Sequence, residues 1–143
     1  MSGSSRMRAL GRLERVRARL RDVAAARANL ATAALERAIQ TEQQAQTELQ
    51  QRLENPPLGA TRAADLLGWD DERLRAIGWI ADAGVVRAAE AKKADVARGE
   101  LNVRERALRT IERQIAVARR ERQETLLADE QRLADELSGR KTS

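Results

Sequence analysis

Glu54-Asn55-Pro56-Pro57-Leu58-Gly59 decides how this chain folds. Its two prolines are the only ones among 143 residues. Proline lacks the backbone N–H that an α-helix needs and pushes the preceding residue toward extended geometry. The stretch therefore ends one helical arm, and the chain on both sides of it is helical in character. Ala, Glu, Lys, Leu and Arg make up 85 of the 143 residues, a bias typical of long helices and coiled coils. The expected fold class is all-α: a long antiparallel two-helix coiled-coil hairpin with a short helical turn region. A single domain spans residues 1–143, with one arm at 6–54, the turn at 55–69 and a longer arm at 70–138.

Upstream of the prolines, Leu13, Val16, Leu20, Val23, Arg27 and Leu30 recur in alternating steps of three and four, the spacing of a coiled-coil seam. After Leu30 the large apolar residues shift to Leu35, Ile39, Leu49 and Leu53. That shift predicts a break in the heptad. Six glutamines between Gln40 and Gln51 read as a solvated helix face or as a docking face rich in hydrogen-bonding groups.

Downstream, Thr61 can cap a short helix that Gly68 stops. Asp70 is the expected N-cap of the long arm, with Trp69 stapled onto Leu74. The long arm runs to about Ser138, with Gly139 past its end. Its seam is Ala94, Ala97, Leu101, Arg104, Leu108, Ile111, Ile115 and Ala118. If Glu54 lies opposite Asp71, Leu10 falls opposite Ile115, Leu13 opposite Ile111 and Val16 opposite Leu108. Val23 then meets Leu101, and Leu30 meets Ala94. The C-terminal arm overhangs the N-terminus by ~20 residues, or ~30 Å at 1.5 Å per residue.

The absent residue types narrow function. There is no His, Cys, Phe or Tyr, which removes the usual general bases, thiol nucleophiles and zinc ligands. The paired acids Asp70-Asp71, Asp129-Glu130 and Asp135-Glu136 are neighbours on a helix and point in different directions. The expectation is a non-enzyme with no cofactor, metal or small-molecule ligand. No run of ~18 apolar residues is present to cross a membrane. Zero cysteines suit a cytoplasmic protein.

The net charge of +5 is unevenly spread. Residues 1–27 carry eight arginines against Glu14 and Asp22, so one end of the molecule is basic. The arginines interleave with acids and have no stacking aromatics beside them, which argues against nucleic acid as a partner. Trp69 and Trp79 are the only aromatic residues. Trp69 reads as the staple, and Trp79 reads as part of a small turn-end core with Leu66 and Leu67 or as an anchor for a partner.

Two Ala/Arg/Gln-rich arms around a proline-marked turn, in a small basic chain, resemble the FliJ/YscO family. These are central stalk proteins of flagellar and virulence-type type III secretion ATPases. The resemblance covers the arm 6–54, the interruption 55–69 and the arm 70–138. It implies a cytoplasmic coiled-coil stalk, peripheral to the inner-membrane secretion apparatus. Such a stalk inserts into the pore of a hexameric ATPase and links it to an export gate protein, and export chaperones are further possible partners. On that reading Arg8, Arg12, Arg15 and Arg19, with Arg119 and Arg120 across the seam, face the ATPase. The turn end, with Leu66, Leu67, Trp69 and Trp79, faces the gate. The alternative is a coiled-coil export chaperone or scaffold that binds client helices.

Overall fold

A computed structural model describes residues 3–54 and 63–142, with side chains to Gly139. It is all-helical: α1 spans Gly3–Glu54 and α2 spans Ala63–Thr142. The helices pack against each other, the helical hairpin that the double proline implies. The prolines themselves, Thr61 and Met1-Ser2 lie outside the described residues. Two compact units are formed, one from residues 1–23 with 101–143 and the other from residues 24–100.

In the unit of residues 24–100, α1 turns Ala24, Ala28, Ala31, Leu35, Ala38, Glu42, Ala45, Leu49 and Arg52 inward. From α2 come Ala76, Ile80, Ala83, Glu90, Ala94 and Ala97. All of these are buried or half-buried, and the fully buried ones are alanines. Alanine lets two helix backbones approach closely and gives up no side-chain rotamers on burial. The antiparallel register is marked by Arg27 with Glu100 at 3.5 Å and Arg52 with Glu72 at 3.3 Å. A further ion pair joins Arg87 to Glu42, whose side chain is only 17% exposed.

The other unit has a different interior. α2 contributes Leu101, Arg104, Leu108, Ile111, Ile115 and Ala118, the seam expected from sequence. Opposite them, α1 offers Met7, Leu10, Glu14, Arg17 and Arg21, all half-buried. The long stems of Arg17 and Arg21 cover apolar surface while their charged heads reach water. Arg6 pairs with Glu121 at 3.5 Å.

The seam of α1 departs from the sequence reading. Leu13, Val16, Val23 and Leu30 are exposed, Leu30 at 71%, and do not meet Ile111, Leu108, Leu101 and Ala94 in a buried core. The buried row lies one residue further on and keeps its three-four spacing from Leu10 to Arg52. No break in burial follows Leu30. The physical reason is phase. The row of larger residues loses its spacing after Leu30, whereas the inward row, alanine-rich from Ala24 on, keeps within α1 the three-four spacing that a coiled coil requires.

The ends of α2 also differ from expectation. The helix begins by Ala63 and runs unbroken through Gly68 and Asp70, so the short helix and the long arm are one element. Asp70 accepts from the Arg73 guanidinium at 2.8 Å instead of capping a helix start. At the other end α2 continues past Gly139 to Thr142. Among the described residues, no helix is long and apolar enough to cross a membrane.

Candidate functional site

The basic end lies in the unit of residues 1–23 and 101–143. Arg8, Arg12, Arg15 and Arg19 follow one another in steps of four, three and four, and all are exposed. They occupy the side of α1 away from the inward row Met7, Leu10, Glu14, Arg17 and Arg21. Arg8 donates to the Ser4 hydroxyl at 3.5 Å. Three of these arginines line one surface groove: Arg8, Arg12 and Arg15, with Ser4, Met7 and Gly11. The fourth arginine of the groove is Arg122, from α2. Its described lining holds no carboxylate. Four guanidinium groups around one concavity focus positive potential and suit a carboxylate- or phosphate-bearing partner.

Arg119 and Arg120 are exposed but are not part of that groove, and Arg19 lies further along α1. Sequence reading missed Arg122, whose proximity to Arg8 depends on how far α2 runs beside the start of α1. The overlap itself is visible in a second groove, where Gly3, Ser4 and Arg6 meet Ala118, Glu121, Arg122, Thr125 and Leu126. Every residue from Arg119 to Gly139 is exposed.

The turn-end residues lie in the unit of residues 24–100 and fall into two places. Leu66, Leu67 and Trp69 line a shallow apolar groove with Ala63 and Asp70. Trp79 lines a separate, mostly charged groove with Glu48, Arg52, Glu72, Arg75 and Ala76. Leu66, Leu67 and Trp79 are exposed and form no turn-end core. Trp69 is half-buried for a reason other than a staple to Leu74, which is itself exposed. Its indole Nε1 donates to the Arg52 carbonyl at 3.2 Å, and the Arg73 guanidinium stands 5.8 Å from its ring centre. The six glutamines of residues 40–51 are all exposed, and four of them, Gln40, Gln43, Gln44 and Gln51, line a shallow groove with Thr47 and Glu48.

Compared with protein-family models, curated proteins and solved structures, the chain matches none.

Proposed function

We propose that this chain is the non-enzymatic central stalk of a type III secretion ATPase. Its arginine-bearing end inserts into the ATPase ring, and its turn end is directed toward the export gate. The observation that carries this reading is the groove of Arg8, Arg12, Arg15 and Arg122 at the start of α1. A cationic tip on paired helices is drawn into a pore lined by acidic groups, where field lines concentrate. The helices beneath it need only transmit force. The other end offers Leu66, Leu67 and Trp79 as exposed apolar contacts for the gate.

The test is retention of a hexameric ATPase from the native host on the tagged chain. One chain per ring and stimulated hydrolysis are the expected results. Reversing Arg8, Arg12 and Arg15 to glutamate removes retention while leaving helicity intact. Undiminished retention by that variant overturns the assignment.

A further inference from the structure

In the unit of residues 1–23 and 101–143, one side of the helix pair is apolar and uncovered. Leu13, Val16, Leu20 and Val23 each stand one residue before an inward position of α1. Val103, Ala107, Thr110, the polar Gln114 and Val117 stand one residue before Arg104, Leu108, Ile111, Ile115 and Ala118 of α2. Antiparallel helices turn such positions to the same side. The Arg6–Glu121 ion pair joins two residues of the same phase and marks that side. Leu13, Val16, Val23, Val103 and Val117 are 44–59% exposed.

Arginines rim this face. Arg19 stands one step further out on α1, and Arg106, Arg113 and Arg120 do so on α2; all four are exposed, while Arg12, of the same phase, lines the groove with Arg8 and Arg15. The carboxylates Asp22, Glu105 and Glu112 belong to the opposite side, and Glu121 on this side is paired with Arg6 beyond the end of the stripe. On the opposite side Arg21 pairs with Asp22 at 3.0 Å and Arg109 with Glu105 at 3.9 Å. An apolar stripe between rows of one charge is the surface that an amphipathic helix of the opposite charge covers.

The same chain carries such a helix. Leu126, Leu133 and Leu137 recur on one side of the exposed end of α2, and all are more than half exposed. Glu130 stands within their row between Leu126 and Leu133, and Asp129 and Glu136 lie beside it, Asp129 also pairing with Arg132 at 3.4 Å. From Leu126 to Leu137 the helix rises ~16 Å, against ~15 Å from Leu13 to Val23. It cannot reach its own apolar face, because α2 continues unbroken from that face to Thr142. We propose that the C-terminal segment of a second copy docks on this face as a third helix, its acids between the arginine rows. Two apolar faces packed directly together would bring like charges to their rims, which disfavours that other mode of self-association.

This inference does not depend on the stalk reading, and its test contains no ATPase. The full chain is examined by sedimentation equilibrium over a wide concentration range, with helicity followed by circular dichroism. The wild type is expected to self-associate. Arg106→Glu with Arg113→Glu weakens association about tenfold or more, as does Asp129→Lys with Glu130→Lys and Glu136→Lys. Combining both reversals restores it, which a general folding defect does not. Val16→Asp with Val103→Asp abolishes association. A wild type that stays monomeric throughout, or association indifferent to both reversals, overturns the proposal. So does binding of phosphatidylserine vesicles by a chain that remains monomeric, which assigns the face to a bilayer.

Discussion

The indole Nε1 of Trp69, near the start of α2, donates a hydrogen bond to the carbonyl oxygen of Arg52, near the end of α1, at 3.2 Å. The last four carbonyls of a helix have no intrahelical partner. Trp69 therefore supplies from the second helix a donor that the first helix lacks. Arg52 replies in the other direction, its Nη1 donating to the Glu72 carboxylate at 3.3 Å and to the Glu72 carbonyl at 3.5 Å. Replacing Trp69 with Phe keeps an apolar ring and removes the donor. The expected loss is about 1 kcal/mol, read from urea unfolding.

The position of the seam separates two kinds of apolar residue. Ile111 is 6% exposed, and Ile111→Ala is expected to destabilise by about 2–5 kcal/mol. Leu30 is 71% exposed, and Leu30→Ala stays within about 0.5 kcal/mol of wild type. Ala45 is 0% exposed, so Ala45→Leu overpacks the helix interface by about 1–3 kcal/mol. Thermal melts of the three variants check the order. A Leu30 variant that melted as early as the Ile111 variant would contradict the observed seam.

The Glu42–Arg87 pair predicts a measurable coupling. Glu42 is largely shielded, but the Arg87 side chain is 46% exposed, so water screens part of the attraction. Arg87→Ala leaves a shielded carboxylate without its partner and is expected to lose about 1–2 kcal/mol. A double-mutant cycle with Glu42→Gln isolates the pair from the packing of the two stems.

Glycines inside α2 weaken it for no packing reason. A Cβ added at Gly78 or Gly99 meets nothing within 4 Å. Replacing each with alanine is expected to stabilise by about 0.8–1 kcal/mol, seen as a higher unfolding midpoint. At Gly84 the added Cβ stands 4.0 Å from Glu42 Oε1, an ordinary contact, so alanine fits there too.

Much of this architecture is written in the order of residues. The seam of α2 from Ala94 to Ala118 is legible because it combines the right spacing with its largest aliphatic groups, Leu108, Ile111 and Ile115. The seam of α1 is not, because its apolar signal is divided. Leu13, Val16, Leu20 and Val23 are larger than Ala24 and Ala28 and draw the eye to the wrong row. Burial follows the row that stays in phase with the facing helix, a property of two helices together. Gly68 looks like a terminator, but helix on both sides and the Trp69–Arg52 contact outweigh one residue's poor propensity. Arg8, Arg12 and Arg15 declare a basic surface by themselves. Arg122 joins them only through the extent of helix overlap, which no local pattern encodes.

The alanine interior of residues 24–100 has a thermodynamic consequence. Alanine brings little hydrocarbon out of water when a helix pair separates, and exposed hydrocarbon is what raises the heat capacity on unfolding. That region therefore has a smaller heat-capacity increment per residue than the ~12–15 cal/mol/K of ordinary globular domains. Its stability curve is correspondingly shallow, and its cohesion varies little between cold and warm conditions.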